Sequence, residues 1–214
     1  GRDRVYVLDD NVDILARRDR LLSWINKLNA VMAGDTLLLR AQPIVPTANT
    51  QDVCHYEILL GLRGDDDSVL PPGDFIEAAE CYNRMQRIDR WVIDHTFAWL
   101  RRQQMQGAEL PTLSINLSAN SINDGSLLDF IIDRFGSYGI SPHLICFEVT
   151  ETATIDNLAN AADFIRRATR LGCKFALDDF GTGRSSYEYL KQLPVDYLKI
   201  DGVFIVNVNT DRGD

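Results

Sequence analysis

From Thr36 onward the chain alternates short apolar runs with stretches of helical periodicity, and this alternation restricts its fold more than any other feature. The runs are LLLRAQPIVP (37–46), HYEILLGLR (55–63), TLSINLS (112–118), LICFEVT (144–150), KFALDD (174–179) and DYLKID (196–201). Between them lie PPGDFIEAAECY, IDRWVIDHTFAWLRRQQ, SLLDFIIDRFGSYG, NLANAADFIRRATRLG and SSYEYLKQL, all with helical spacing of apolar residues. Parallel strands need a long crossover, usually a helix, so this rhythm predicts an α/β protein with a mainly parallel sheet.

A buried parallel strand is almost wholly apolar. The last five runs each break that rule at a comparable place: Glu57, Asn116, Glu148, Asp178 and Lys199. Taken singly, Asn116 suits a core amide, Glu148 a salt-bridge partner and Lys199 a snorkelling surface residue. As a set they keep phase, and in a βα barrel the C-terminal ends of successive strands converge on one pocket.

The densest chemistry lies in KFALDDFGTGRSS (174–186). The run ends in adjacent carboxylates, Asp178 and Asp179, followed by a loop carrying Gly181 and Gly183. Adjacent residues of an ideal strand point to opposite faces, so both aspartates reach one site only where the strand turns. Side-by-side carboxylates are costly to bury unless a cation or proton neutralises them. Oxygen-only ligands suit Mg²⁺, Mn²⁺ or Ca²⁺. An Asp-Asp helix-capping turn is the other reading of this pair alone.

The composition is that of a globular chain of 214 residues, 45% hydrophobic and 25% charged, enough for one domain with an appendage. A net charge of −9 argues against a general surface for a nucleic-acid polymer. Cys54, Cys81, Cys146 and Cys173 show no CxxC spacing and read as reduced thiols of a cytoplasmic domain. No run has the length of a membrane span, and no signal peptide opens the sequence. Before Thr36, a short apolar run in residues 1–10 suits one strand. Ile14, Leu21, Ile25, Leu28 and Met32 then form the stripe of a helix from Val12 to Ala33, either a packed linker or part of a coiled coil.

Eight motifs together resemble the EAL domain of bacterial cyclic di-GMP signalling: QPI (42–44), YEIL (56–59), PPGDFI (71–76), IDRW (88–91), SINLS (114–118), FEVTE (147–151), DDFGTGRSS (178–186) and LKID (198–201). The resemblance covers about residues 36–205. It implies a modified TIM-like (β/α) barrel with an antiparallel first strand. About six of the barrel's eight strands are expected here, with the chain truncated before the last two. Domains are expected at 1–35 (linker helix and tail of a preceding GGDEF-like domain) and 36–214 (EAL). The implied chemistry is metal-dependent hydrolysis of cyclic di-GMP to linear pGpG. By motif, Glu57, Asn116, Glu148 and Asp178 hold one divalent cation, and Asp178 and Asp179 serve a second. Mg²⁺ or Mn²⁺ supports turnover, and Ca²⁺ binding without turnover. Catalytic roles fall to Lys199, which orients water or offsets phosphate charge, to Asp179, and to Glu151, which fixes the DDFGTG loop. Substrate contacts fall to Gln42, Leu59, Arg63 and Asp201. A homodimer is also implied.

The chain departs from the family pattern in three places. Ile58 replaces a smaller residue. Gly61 stands where an arginine usually grips a substrate phosphate, with Arg63 on the same strand face. The family's last strands, carrying a further catalytic glutamate and a glutamine, are missing, and an open sixth strand is expected to need a cover. The alternative to an enzyme is therefore a degenerate EAL receptor that binds cyclic di-GMP and signals through the N-terminal helix.

Overall fold

The computed structural model describes residues 10–34, 36–50, 53–64, 68–70, 72–181 and 190–206. The strand expected before residue 10, and most of the helix expected over SSYEYLKQL, lie outside the described residues. The chain divides into two compact units, one of Gly1–Leu38 and Gly61–Arg84, the other of Leu39–Leu60 and Met85–Asp214.

The first unit is built on helix α1 (Asp10–Ala33), close to the bounds that periodicity predicts. Its buried residues Leu21, Leu28 and Val31 recur at spacings of seven and three, which keeps them on one face. Trp24 meets the edge of Phe75, with ring centroids 5.8 Å apart. Phe75 belongs to α2 (Gly73–Cys81), where it is buried with Ala78 and Ala79. Ion pairs Arg17–Glu77 and Arg20–Asp74 lie at the surface of the same two helices.

Strands β1 (Leu37–Ile44) and β2 (His55–Arg63) enter this unit by their ends. Thr36 O accepts from Arg63 N at 2.7 Å, and Leu38 lies beside Gly61, a pairing that runs antiparallel. A two-residue β3 (Val69–Leu70), which the sequence pattern does not reveal, pairs antiparallel with Leu62 and Arg63. Gly61 is buried. A Cβ there would lie 2.7 Å from Leu38 Cδ1 and 3.2 Å from Val69 Cγ1. The position is therefore not an open slot awaiting an arginine, because two apolar side chains fill it.

In the second unit the sheet runs in the order β1, β2, β4 (Thr112–Leu117), β5 (Ile145–Thr150), β6 (Lys174–Phe180), β7 (Tyr197–Ile200). From β2 to β7 every neighbouring pair on this path is parallel. The order is that of successive strands in a βα barrel, as the alternation predicts. Helices α3 (Met85–Met105), α5 (Leu127–Tyr138) and α7 (Leu158–Leu171) supply crossovers. Two further helices, α4 (Ala119–Ile122) and α6 (Glu151–Asp156), are too short to show a period in sequence. The core is aromatic where layers meet. Phe97 of α3 packs on Phe135 of α5 at 4.7 Å, and Phe164 of α7 stands edge-on to Phe175 of β6 at 6.1 Å. Strand β5 is buried along its first five residues, including Glu148. Among the described residues, no helix is long and apolar enough to cross a membrane.

Candidate active site

Sheet register brings the polar strand residues together. Side chains of neighbouring strands share a face when their register offset is even. Glu57 pairs with Ser114, two residues before Asn116. Asn116 pairs directly with Glu148. Glu148 pairs with Ala176, two before Asp178, and Ala176 pairs with Tyr197, two before Lys199. Every offset is zero or two, so all five residues fall on one face.

They meet at the Lys199 ammonium. Its Nζ donates to Glu57 Oε2 at 3.0 Å, to Asp178 Oδ2 at 2.9 Å and to Glu148 Oε2. Asn116 Nδ2 donates to Glu57 Oε1 at 3.0 Å. Burial alone would depress the Lys199 pKa, but hydrogen bonds to Asp178 and Glu148 outweigh it and hold the amine above the ordinary lysine range. Glu148 is 1% exposed. Burial raises its pKa above the usual carboxylate value, and the hydrogen bond from Lys199 opposes that rise. Three carboxylates thus share one ammonium, which leaves negative charge in excess. Ligand oxygens of Glu57, Glu148 and Asp178 lie within 4.8 Å of one another, close enough to share a metal ion. The donor set is all oxygen and suits a hard divalent cation. The lysine already shows that this face accepts positive charge at its centre.

Asp178 and Asp179 part company at a turn. Asp179 has φ 56, and the register between β6 and β7 slips from Leu177 to Phe180. Left-handed backbone is one of the few ways an aspartate changes face within one residue, and Asp is among the residues that tolerate it. Asp178 turns to Lys199, and its Oδ1 accepts from Asp179 N at 2.9 Å. Burial, then the charges of Asp178 and Asp201, raise the Asp179 pKa. Asp201 accepts from Val203 N at 2.7 Å.

Glu151 is 1% exposed and opens α6 directly after β5. Thr150 caps that helix, its Oγ1 accepting from Ala153 N. Glu151 Oε2 accepts from Gly181 N at 3.0 Å and so pins the start of the DDFGTG loop. Gly181 has φ +103, and a Cβ there would lie 2.7 Å from Phe204 Cε2. Backbone conformation and the Phe204 ring both require glycine.

Gln42 is exposed on β1, Leu59 is half-buried on β2, and Arg63 is exposed in the other unit. Asp89 of the IDRW motif is buried. It accepts from Ser118 N at 3.0 Å and Ser118 Oγ at 2.7 Å, which anchors the chain just past Asn116.

One turn of the pleat below the cluster lies a second polar layer, of which the motifs include only Ser114. His55 Nε2 lies 2.8 Å from Ser114 Oγ. Ser114 is fully buried and lies opposite Cys146 in the β4–β5 register. Lys174 Nζ donates to Tyr197 Oη at 2.9 Å. Burial, then the Lys174 charge, lowers the His55 pKa, which favours the neutral ring. Burial pushes the Cys146 thiol up to about 12. The signal for this layer was present: His55, Ser114, Cys146 and Tyr197 each stand two residues before a cluster residue, on the same strand face.

The EAL domain family matches residues 25–214. The chain is 34% identical over its full 214 residues to the cyclic di-GMP phosphodiesterase PdeB of Shewanella oneidensis. It is 35% identical over 189 residues, 87% of the chain, to the cyclic di-GMP phosphodiesterase PdeF of Escherichia coli. It spans 25% and 24% of those two proteins, about a quarter of each. Among solved structures, the PaMucR phosphodiesterase in complex with c-di-GMP superposes with a TM-score of 0.80 at 28% identity, over 88% of this chain and 76% of that one. The EAL domain of Xanthomonas citri FimX with c-diGMP also gives 0.80, at 26% identity over 92% of this chain and 76% of that one.

Proposed function

Since the chain belongs to the EAL-domain family, we propose that it hydrolyses one phosphodiester of cyclic di-GMP to linear pGpG with Mg²⁺ or Mn²⁺. The observation that carries this reading is the convergence of Glu57, Glu148 and Asp178 within 4.8 Å. Glu57, Asn116, Glu148 and Asp178 hold one cation, and Asp178 with Asp179 serves a second. When bound, such cations supply an acidified water and a clamp on phosphate oxygens.

The chain's own groups do the rest. In the reaction the water oxygen bonds to phosphorus, the bond to the ribose oxygen breaks, and that oxygen leaves with a proton. Lys199 stays charged through Asp178 and Glu148, so it presents a fixed positive charge that orients water or offsets charge on the phosphate. Glu151 holds the DDFGTG loop through Gly181 N. Gln42, Leu59, Arg63 and Asp201 contact the substrate. A cytoplasmic homodimer with an adjoining GGDEF-like domain belongs to the same proposal.

One observation favours a second reading, a receptor that binds cyclic di-GMP without turnover. Leu38 and Val69 crowd Gly61, at the place where the family pattern expects a phosphate-gripping arginine. The test is formation of pGpG from cyclic di-GMP by a protein carrying this chain, with Mn²⁺ and with Ca²⁺. Turnover with Mn²⁺ and binding alone with Ca²⁺ supports the enzyme. Binding without turnover in every metal supports the receptor, and no binding in any metal rejects both.

A further inference from the structure

Asn116 stands where β4 loses one of its two neighbours. Among the described residues, the register of β4 with β2 ends at Ile58 and Ile115, one residue before Asn116. With β5 it runs on, Asn116 opposite Glu148 and Leu117 opposite Val149. A strand end paired on one side shifts more easily, and a shift of one residue turns its side chains to the other face. This end is held from a third direction, by helix α3. Ser118 N donates to Asp89 Oδ2 at 3.0 Å, and Ser118 Oγ donates to the same oxygen at 2.7 Å. Ser118 Oγ in turn accepts from Ser121 N at 3.3 Å and so caps α4. Asp89 is 4% exposed, on the face of α3 that also buries Ile88, Val92 and Ile93. A carboxylate on such a face is costly unless it is hydrogen-bonded, and the two bonds from Ser118 offset that cost.

We propose that Asp89, acting through Ser118, is a positioning residue that holds Asn116 in place for cation binding. The proposal rests on the reading of Asn116 as a cation ligand. Asn116 Nδ2 donates to Glu57 Oε1, which leaves the carbonyl oxygen of the amide as its ligand atom. Any movement of the strand end carries that oxygen with it. Groups one step outside a metal's ligands typically change its affinity by ten- to a hundredfold.

The experiment is calorimetric titration of the chain with Mn²⁺ alone, for the parent, Asn116→Ala, Asp89→Ala, Asp89→Asn and the double variant Asp89→Ala with Asn116→Ala. Each is first melted without metal, so that only folded protein is compared. Affinity should fall about tenfold in Asp89→Ala. Asparagine keeps an oxygen acceptor of the same shape, so Asp89→Asn should recover most of that loss. Once Asn116 is alanine, Asp89→Ala should cause no further loss, because coupled residues are not additive. A purely structural Asp89 would instead lower the melting temperature and leave Mn²⁺ affinity unchanged, or lower affinity equally in both backgrounds; either result overturns the positioning role alone. If Asp89→Ala does not fold, Ser118→Ala takes its place in both backgrounds, with a smaller loss expected and the same two results overturning the role. Unchanged affinity in Asn116→Ala overturns the reading of Asn116 as a ligand and the positioning role with it. A parent that binds no Mn²⁺ overturns the metal reading as a whole.

Discussion

Two sets of ion pairs in this chain use the same chemistry to opposite ends. On α1 and α2, Arg17 pairs with Glu77 and Arg20 with Asp74, and the arginine side chains are 64% and 61% exposed. Around Lys199 three carboxylates converge on one ammonium, and the Glu148 side chain is 1% exposed. Water screens the first set, so each pair contributes little to stability. The second set bears a desolvation cost that one ammonium shared among three carboxylates does not offset. Evenly matched charges at a surface decorate a fold. Unevenly matched charges held by neighbouring strands on one face of a sheet are poised to take another cation.

The sharpest way to break this contrast is Asp178→Asn. In a protein carrying the chain it should abolish pGpG formation while unfolding in denaturant changes little, since one crowded carboxylate is relieved. Loss of folding in parallel with loss of turnover would make Asp178 a structural residue. Next in size is Lys199→Met. It leaves three carboxylates facing one another without their ammonium, and metal-free stability should fall by roughly 3–5 kcal/mol. Mn²⁺ should recover much of that loss by binding the folded chain. An equal loss with and without Mn²⁺ would mean that the lysine packs rather than compensates charge.

Gly61→Arg tests the other unit. Arginine at a phosphate would add about 1.5–3 kcal/mol, or some ten- to a hundredfold in affinity. Here the new side chain must first displace Leu38 Cδ1, and overpacking costs about 1–3 kcal/mol. Gly61→Arg alone should therefore gain little affinity for cyclic di-GMP in Ca²⁺, and Leu38→Ala with Gly61→Arg should gain more. If neither gains, the phosphate does not lie against this strand. The smallest effect is expected from Arg17→Ala, a loss below about 1 kcal/mol that shrinks further in high salt. A loss as large as that of Lys199→Met would erase the distinction between the two sets.

Much of this was legible in sequence, for reasons that differ by residue. Glu148 stood out because a charge inside ICFEVT violates the apolar rule for a central parallel strand. Glu57, Asn116, Asp178 and Lys199 stood out because they keep the same phase. Ser114 and Cys146 did not, because a small hydroxyl and a thiol pass for ordinary strand residues. Their surroundings depend on what the neighbouring strand places opposite. The crowding of Gly61 by Leu38 was hidden for the same reason: cross-strand neighbours follow from register, which no local pattern states. The helix α6 was hidden because six residues carry too few turns to show periodicity. Its threonine cap and Glu151 were visible only as a motif.

The most direct test of the account is diffraction from crystals of the chain grown with Mn²⁺, measured at the manganese absorption edge. The account expects an anomalous peak bonded by carboxylate oxygens of Glu57, Glu148 and Asp178. The same crystals of Asp178→Asn should show that peak weakened or gone. A parent crystal at saturating Mn²⁺ with no peak at this cluster, and Lys199 still holding all three carboxylates, would contradict it.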